Sequence, residues 1–394
     1  MTKGRSKKPY YSSGGDAGEG IDKESVCSPG NSTGEQSCFT HASLKRIADK
    51  WNKKNPQDPV SLELDKQTIW SELKRRFRKV AKCPEEWCWL DIDYIRDLRD
   101  PEISQRTFKP KMPTEWKNNM KTWLTTTDIA DVLEQYTKQH QDFEFIGPVP
   151  IDFDKKVKLF GLGMCVVQEL CKINVRRLYK KGIRKLGIVF NLDAHDQPGS
   201  HWVSMFADFT TGGIYYFDSY GYKPCTEIKD LVSRIKEQGN KLILDGTIDF
   251  KKFDRTHEDI SGITIVDSKK IMLDTDIEVH VGDVVTTCKL KRKASAAHFL
   301  NRCKFLRSNK IVSIKGQELT LKYPVPPGDN VVVSKGFKYY YNKVKHQYKN
   351  SECGVYSIYY ITQFLAGRTF EDISEEALSD DEVNKYRYYF YRRG

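Results

Sequence analysis

Close to its C-terminus the chain contains Gln347-Tyr-Lys-Asn-Ser-Glu-Cys353-Gly354-Val-Tyr-Ser-Ile-Tyr-Tyr360. A polar turn here ends in a thiol, and an apolar run typical of a buried helix follows. The first turn of a helix has unpaired N–H groups and a positive dipole end, which favour a thiolate and can stabilise an oxyanion. Gln347 lies six positions before Cys353 and has a side-chain amide that can donate to the same oxyanion. The stretch predicts a nucleophilic cysteine at a helix start.

Two strand-like runs further upstream contain a histidine and an aspartate. The first is Gly199-Ser-His201-Trp202-Val-Ser-Met-Phe-Ala207, and the second is Gly213-Ile-Tyr-Tyr-Phe-Asp218-Ser219. The turn-forming Thr211-Gly-Gly213 between them is typical of a hairpin, which can place both side chains on one face. We therefore expect a triad in which His201 deprotonates Cys353 and Asp218 fixes the imidazole tautomer, with an acyl group passing through a thioester.

These motifs resemble the clan of cysteine proteases that contains the SUMO proteases and adenovirus proteinase. The clan is marked by His-Trp, by a strand that ends in Asp-Ser, and by Gln-x5-Cys-Gly; the chain has His201-Trp202, Asp218-Ser219, and Gln347 before Cys353-Gly354. The resemblance implies an α+β fold of the papain-like clan, with a central mixed sheet and a nucleophile helix. It also implies that Cys353, His201 and Asp218 are catalytic and that Gln347 belongs to the oxyanion hole.

A second resemblance concerns Thr122-Trp123-Leu124-Thr-Thr-Thr-Asp128-Ile129, which is similar to the Trp-Leu segment that opens the catalytic domain of SUMO proteases. In those enzymes this tryptophan and the one after the catalytic histidine hold the substrate's Gly-Gly in a narrow tunnel. This implies that Trp123 and Trp202 bind substrate, although either side chain could instead be a core aromatic. The chain departs from the SUMO proteases at Thr125 and Thr126, where they usually have Asn-Asp.

Two longer stretches resemble the polyprotein-processing thiol proteases of large cytoplasmic DNA viruses, of the African swine fever virus type. They are Cys38-Phe-Thr-His41-Ala-Ser-Leu-Lys-Arg-Ile-Ala48 and Phe143-Glu-Phe-Ile-Gly-Pro-Val-Pro150-Ile-Asp-Phe153. This resemblance implies a late protein of the virion and host cytoplasm that cleaves viral structural or core polyproteins during virion maturation. A tunnel between two indoles admits backbone without side chains, which favours cleavage after Gly-Gly.

Two other functions are compatible with parts of this pattern. A deconjugating isopeptidase acting on SUMO or another ubiquitin-like protein would use the same tunnel and chemistry. A scaffold or nucleic-acid-binding protein with an inactive protease fold would lack a triad member, and none is missing from the sequence. The sequence does not distinguish between polyprotein and ubiquitin-like substrates, because that choice depends on surfaces remote from the triad.

Composition places limits on the class of protein. The 394 residues are 39% hydrophobic and 12% aromatic, which is enough for a sizeable core. No apolar run approaches the length of a membrane span, and the polar, basic N-terminus does not resemble a signal peptide, so we expect a protein that is not secreted. The net charge of +12 includes the runs Arg176-Arg-Leu-Tyr-Lys-Lys181 and Lys289-Leu-Lys-Arg-Lys293. Such runs can contact nucleic acid or an acidic surface, or can simply be solvated.

The ten cysteines show no dense even spacing, which indicates reduced thiols and a cytosolic environment. Cys83 and Cys88 are close in sequence, but no nearby histidine or second cysteine pair completes a zinc site. We therefore expect no metal and no other cofactor. The remaining cysteines apart from Cys353 are expected to pack as small apolar side chains: Cys27, Cys38, Cys165, Cys171, Cys225, Cys288 and Cys303.

Sequence patterns predict four segments. The Gly- and Ser-rich residues 1–37 should be disordered, and residues 38–115 should form a helical arm that starts with a helix capped by Thr40. The catalytic domain should comprise 116–245 and 336–394, with a first helix from Thr126 to His140 and a nucleophile helix that ends at Gly367. Short strands around Ile277, Ile311 and Leu319 predict a β-rich insertion over 246–335.

Two residues near His201 allow alternative assignments. His195 is a competing imidazole, but it lies in the turn-rich stretch Asp193-Ala-His195-Asp-Gln-Pro-Gly199, which favours a surface position. Asn191 ends the strand before His201, where it could orient the site or simply end the strand.

Overall fold

The computed structural model describes residues 26–31, 37–80, 82–159, 162–248, 263–273, 281, 284–290, 303–327, 330–333 and 336–393. The chain forms two compact units: a helical unit of residues 1–141 and 346–394, and a sheet unit of residues 142–345. The domain boundaries proposed from sequence patterns stay predictions.

The described residues contain eleven α-helices. These are α1 (His41–Lys54), α2 (Lys66–Val80), α3 (Glu86–Trp89), α4 (Asp93–Arg96), α5 (Thr126–Gln139), α6 (Gln168–Cys171), α7 (Val175–Lys180), α8 (Thr226–Leu244), α9 (Cys353–Leu365), α10 (Phe370–Glu375) and α11 (Asp380–Phe390). Helices α6 to α8 belong to the sheet unit and the others to the helical unit. Of the helices described, none is both long enough and apolar enough to cross a lipid bilayer.

The same residues form thirteen β-strands in three sheets, all within the sheet unit. These are β1 (Phe143–Pro150), β2 (Lys156–Leu159), β3 (Leu162–Cys165), β4 (Lys185–Asn191), β5 (Trp202–Asp208), β6 (Gly213–Phe217), β7 (Ile263–Ile265), β8 (Lys270–Leu273), β9 (Val284–Leu290), β10 (Cys303–Lys315), β11 (Glu318–Leu321), β12 (Asn330–Val333) and β13 (Lys338–Tyr341).

The central sheet has the strand order β1-β4-β5-β6-β13. The outer pairs β1–β4 and β6–β13 are parallel, whereas β4–β5 and β5–β6 are antiparallel. Apolar residues of α8, such as Ile228 and Leu231, belong to the same buried cluster as Ile188, Val203 and Met205 of the sheet. The predicted α+β class with a mixed central sheet is therefore confirmed.

The hairpin predicted between His201 and Asp218 is present as β5 and β6. Asp208 pairs with Gly213 across the turn, and Oδ1 of Asp208 accepts from the backbone N–H of Thr210 at 2.7 Å. Gly212 has a φ of +72°, a conformation that favours glycine. The turn chemistry recognised in the sequence thus sets the register of the two strands that precede and follow it.

A second sheet, with the order β12-β9-β10-β11-β8-β7, lies between α8 and β13 in the chain. All its strand pairs are antiparallel, and its core contains Ile271, Val285, Ile311 and Leu319. The predicted strands around Ile311 and Leu319 correspond to β10 and β11. The predicted strand around residue 277 falls on 277–280, which are outside the described residues.

Two helices of the helical unit begin at the predicted residues. Thr40 caps α1, because its side chain accepts from the N–H of Ser43 at 3.1 Å. Thr125 and Asp128 form a reciprocal capping box at the start of α5, so Thr125 has a structural role where the SUMO proteases usually have a different residue. Helix α5 ends at Gln139, within one residue of its predicted end.

Helix α9 is buried along its whole length, and this holds for all 13 of its residues. A helix that is apolar on every side is expected in a core. Gly367, the predicted end, has a φ of +84° and follows the last helical residue, Leu365, by two positions. The nucleophile helix predicted from the apolar run is therefore confirmed.

The cysteine prediction is wrong for six of the ten residues. Disulfides join Cys27 to Cys38, Cys83 to Cys88, and Cys165 to Cys171, with Cα–Cα distances of 5.1, 5.7 and 6.3 Å. The sequence did not reveal these pairs, because folding rather than spacing places the two Cα atoms of each pair within bonding distance. Cys225 and Cys353 are free thiols, and the side chains of Cys288 and Cys303 are outside the description.

Part of the predicted disordered tail packs against the arm. The N–H of Ser28 donates to the carbonyl of Thr107 at 3.0 Å, and Cys27 is buried and pairs with Phe108 in an isolated bridge. Residues 1–25 and 32–36 of the predicted tail are outside the described residues. The disulfide to Cys38 joins this segment to the residues that precede α1.

Candidate active site

The sheet unit brings His201 and Asp218 together. His201 directly precedes β5 and Asp218 directly follows β6, so the antiparallel hairpin places both at the same edge of the central sheet. The Nε2 atom of His201 lies 2.8 Å from Oδ1 of Asp218, and Asp218 is only 1% exposed. When Nε2–H of the neutral ring donates this hydrogen bond to Oδ1 of Asp218, Nδ1 is the basic nitrogen. The pair has the geometry of a histidine oriented by a carboxylate.

The backbone of Asp218 is held by Asn342, which sequence reasoning missed. Asn342 directly follows β13, the parallel neighbour of β6. Its Oδ1 accepts from the N–H of Asp218 at 2.9 Å, and its Nδ2 donates to the carbonyl oxygens of Asp218 at 2.8 Å and Val344 at 3.0 Å. Asn342 is buried, so all of these bonds are shielded from water. No local pattern in the sequence indicates this role, because it depends on the long-range pairing of β13 with β6.

The carboxylate and the imidazole are further ordered by Tyr220. Its backbone N–H donates to Oδ1 of Asp218 at 2.8 Å. Its ring stacks on the His201 imidazole, with centroids 4.8 Å apart and planes inclined by 29°. Lys345 belongs to the same unit, and its Nζ lies 5.6 Å from the centre of the Tyr220 ring. Tyr220 therefore contacts both members of the His201–Asp218 pair.

Two other histidines, His195 and His346, have different partners. His195 Nδ1 lies 2.7 Å from Oδ2 of Asp152, and its backbone N–H donates to Oδ1 of the same residue at 2.9 Å. The pKa of Asp152 is lowered by its hydrogen bonds to His195, which outweigh the opposing effect of burial. His346 is buried, its Nε2 lies 3.1 Å from the carbonyl of Ser374, and burial lowers its pKa. The predicted surface position of His195 corresponds to a partly exposed side chain.

Asn191 orders the loop that leads to His201. Its Oδ1 accepts from the N–H groups of Asp193 at 3.0 Å and Ser200 at 3.2 Å. Gly199 has a φ of +98°, and a Cβ there would lie 2.5 Å from Asn191 Nδ2. The residue thus shapes the approach to the site as well as ending β4, which combines the two roles considered from sequence.

The helical unit contains the predicted nucleophile and the predicted oxyanion donor. Cys353 is the first residue of α9, is buried, and has a free thiol. Gln347 is also buried, and its Nε2 donates to the carbonyl of Lys349 at 2.7 Å. A side-chain amide has two hydrogens and can donate more than one hydrogen bond. Cys353 thus begins a helix and Gln347 lies six positions before it, as the predicted mechanism requires.

Gly354 allows α9 to approach the segment that contains Trp123. A Cβ at Gly354 would lie 2.9 Å from Cβ of Leu124, closer than side chains normally pack. Trp123 itself is 43% exposed, whereas Trp202, the first residue of β5, is buried. The two predicted substrate-binding tryptophans belong to different units, Trp123 to the helical unit and Trp202 to the sheet unit.

The described residues also bear on metal binding and on the two basic runs of the sequence. Within the part of the chain that the structure describes, no three His, Cys, Asp or Glu side chains are grouped so that they could hold a metal ion. The basic run from Arg176 overlaps α7, where Arg176 forms an ion pair with Asp245. The second run, from Lys289, continues past β9 into residues outside the described ranges. Contact with nucleic acid stays a prediction.

Comparison with known proteins finds a relative that matches nearly the whole length of this chain. No protein-family model matches the chain. The chain is 25% identical over 385 residues to R355 of Acanthamoeba polyphaga mimivirus, a protein provisionally named a thiol protease, and the match covers 93% of each chain. Two solved structures are more distant: the African swine fever virus pS273R protease and the Ulp1 protease domain in complex with Smt3, the yeast orthologue of SUMO. The first has 17% identity, covers 94% of this chain and 96% of the other, and gives a TM-score of 0.47. The second has 12% identity, 68% and 77% coverage, and a TM-score of 0.29. The chain is thus a homologue, over nearly its whole length, of a viral protein provisionally named a thiol protease.

Proposed function

We propose that the protein is an endopeptidase that cleaves viral structural polyproteins after Gly-Gly during virion maturation, acting in the virion and the host cytoplasm. The observation that carries this proposal is the pairing of His201 with the buried carboxylate of Asp218, on a chain whose free thiol Cys353 begins a buried helix. A carboxylate-oriented imidazole and a helix-terminal thiol are the components of a thiol protease.

In the proposed reaction, His201 Nδ1 accepts the thiol proton of Cys353, and the thiolate sulfur attacks the carbonyl carbon of the scissile peptide bond. The backbone N–H of Cys353 and the amide of Gln347 donate to the resulting oxyanion. The His201 imidazolium then gives its proton to the departing amine, leaving a thioester. Water, deprotonated by His201, hydrolyses the thioester to release the acid and restore the thiol.

The proposed preference for glycine rests on Trp123 and Trp202 as substrate-binding residues. A large aromatic side chain that is 43% exposed, as Trp123 is, is often part of an interaction surface. An indole close to the substrate backbone leaves room for glycine but not for larger side chains. The two residues just before the cleaved bond are therefore expected to be glycines.

The nucleophile and base are tested with four single variants of the full chain. Cys353→Ala and His201→Ala should each lower turnover by at least about 10³-fold, since loss of a triad member removes most of the catalysis. Cys225→Ala, which removes the other free thiol of the described residues, and His195→Ala, which removes the competing imidazole, should retain most of the activity. Inactivation by His195→Ala with an active His201→Ala variant would show that the wrong imidazole has been chosen.

The substrate is tested with purified enzyme against candidate capsid polyproteins, Gly-Gly-X and Ala-Leu-X peptides, and SUMO and ubiquitin conjugates. We expect cleavage of polyproteins and Gly-Gly-X peptides, no cleavage of Ala-Leu-X peptides, and a relaxed preference in Trp202→Ala. Cleavage of the conjugates without cleavage of polyproteins would make the enzyme a deconjugating isopeptidase. A preference for bulky residues before the cut would contradict the roles of both tryptophans.

A further inference from the structure

One face of helix α11 contains three polar residues, Asp380, Asn384 and Arg387, spaced so that they lie on the same side of the helix. We call this set the α11 polar face, and we call residues 347–352, between Gln347 and the start of α9, the nucleophile loop. Both segments belong to the helical unit. All three side chains of the α11 polar face take part in hydrogen bonds that involve or lead to the nucleophile loop.

Asp380 holds the part of the loop that follows Gln347. Its Oδ2 accepts from the backbone N–H groups of Tyr348 and Lys349, each at 2.9 Å, and its Oδ1 lies 3.4 Å from the hydroxyl of Tyr356 on α9. Asp380 is buried, and hydrogen bonds to an ionised acceptor are stronger than those between neutral groups. One carboxylate thus joins the residues next to Gln347 to the first turn of the nucleophile helix.

Asn384 and Arg387 hold the part of the loop that precedes Cys353. The buried carboxylate of Glu352 accepts from Nδ2 of Asn384 at 2.9 Å and from the N–H of Ser351 at 2.9 Å. Arg387 Nε donates to Oδ1 of Asn384 at 2.8 Å, and Nη2 donates to the carbonyls of Ser351 at 3.1 Å and Thr122 at 2.8 Å. The loop is therefore fixed at both ends by one helix.

Helix α11 does not need the hydrogen bonds of the α11 polar face to be stable as a helix. Acidic residues in the first turn favour a helix through its dipole, but Asp381 and Glu382 already occupy the first turn of α11. Arg387 is wholly buried, and burial lowers its pKa, which shows that its charge is held at a cost in desolvation. The α11 polar face directs its hydrogen bonds to the nucleophile loop instead.

We propose that Asp380, Asn384 and Arg387 are positioning residues that fix the nucleophile loop so that Gln347 and the N–H of Cys353 can both donate to the oxyanion. This inference rests on the proposed function, because it assigns a purpose to the geometry of its oxyanion donors. Such donors act only when they are held close to the position where charge develops, so a looser loop should slow the chemical step. It should leave reactions that form no oxyanion almost unchanged.

The test compares two reactions of the same thiol in the full chain. For cleavage of a Gly-Gly-X peptide, Asp380→Ala should lower kcat by about 10- to 100-fold while KM stays within about twofold, since the lost interaction acts in the transition state. The rate at which iodoacetamide alkylates Cys353, a reaction without an oxyanion, should stay within about twofold of wild type. Asp380→Asn, which keeps one acceptor oxygen, should recover much of the lost kcat. The matched control is Asp381→Ala, whose exposed side chain pairs with Lys349 Nζ at 2.6 Å and should leave both rates unchanged.

A wild-type kcat in Asp380→Ala would overturn the inference, and so would an equal fall in turnover and alkylation, which indicates a general loss of structure. If Asp380→Ala does not fold, Asn384→Ala and Arg387→Lys are measured instead, and both must lower kcat more than alkylation for the inference to stand. Failure of the proposed function would be visible elsewhere, as peptidase activity that survives in Cys353→Ala.

Discussion

The pairing of Asn342 with the backbone of Asp218 provides a prediction at the level of one residue. Asn342→Ala leaves the N–H and carbonyl of Asp218 without their buried partners, and each such loss costs about 1–3 kcal/mol. We expect kcat to fall by about 10-fold or more with KM little changed, because the carboxylate that orients His201 is no longer fixed. The measurement is steady-state kinetics with urea unfolding on the same sample.

The chain supplies a control of the same chemistry. Asn309 is buried in the second sheet, where its Oδ1 accepts from the N–H of Tyr323 at 3.0 Å and its Nδ2 donates to the carbonyl of Tyr323 at 2.7 Å. Asn309→Ala should lower stability by a comparable amount and leave kcat unchanged. If both variants lose stability and neither loses kcat, Asn342 has only a structural role.

At the residue scale the sequence predicted what local patterns encode. His201 and Asp218 lie on either side of a recognisable hairpin, and Cys353 begins a recognisable apolar helix, so short stretches were enough to predict where these three residues lie in the fold. Asn342 bonds to a residue 124 positions away, and a single sequence contains no local sign of that pairing. The disulfides were missed for a different reason: their cysteines are only 11, 5 and 6 positions apart, but such spacing also occurs between ordinary buried cysteines.

At the scale of elements, the close contact between Gly354 of α9 and Leu124 lets us predict how Gly354→Ala, which adds one methyl group, changes stability. Gly354→Ala would gain up to about 1 kcal/mol of helix propensity, but overpacking in a tight core costs about 1–3 kcal/mol. Because the added Cβ would lie 2.9 Å from Leu124 Cβ, we expect net destabilisation. Urea unfolding should show a lower free energy of unfolding, and displacement of Trp123 should lower kcat/KM for Gly-Gly substrates.

A double-mutant cycle separates this steric effect from any other cause. In a Leu124→Gly background all three of the nearest Leu124 atoms are absent, so the cost of adding a methyl group at Gly354 should shrink. A cost that is equal in both backgrounds would show that Leu124 is not the reason for a glycine at this position.

At the scale of the whole molecule, the helical arm contains an acid that makes stability depend on pH. Glu86 is buried, its Oε2 accepts from the N–H of Cys38 at 2.9 Å, and burial raises its pKa although its hydrogen bonds act in the opposite direction. The folded protein therefore binds this proton more tightly than the unfolded chain does. Its contribution to stability is present below the ordinary glutamate pKa of about 4.3 and is lost as the pH rises through the raised value.

Glu86→Gln mimics the protonated side chain and should remove this dependence. The free energy of unfolding of the variant minus that of wild type should therefore be larger at pH 7 than at pH 4. Urea unfolding followed by tryptophan fluorescence measures it, since Trp51 and Trp89 are in the same buried cluster of the arm. Glu85→Gln changes the same charge at an exposed position and is the matched control. An identical difference at both pH values would rule out Glu86 as the source.

The sequence also predicted the class of fold, because local apolar patterns indicate individual helices and strands. Alternating and helical apolar patterns correctly predicted β4, the β5–β6 hairpin, α1, α5 and α9, because burial of each element depends on its own residues. The order of strands in the central sheet could not be predicted in this way, since β13 lies far from β6 in the chain yet pairs beside it. Long-range pairing is set by the whole core rather than by any one segment.

The parallel pairing of β6 with β13 has a consequence for how such a chain can change during evolution. The segment between these strands leaves the central sheet and returns beside its point of departure, so its two ends are fixed while its length is not. The entropic cost of closing a loop grows slowly, by about 0.6 kcal/mol for each doubling of its length. Insertions, deletions or replacement of the second sheet should therefore be tolerated without moving Asp218, which makes this segment a place where new surfaces can be added to an unchanged catalytic unit.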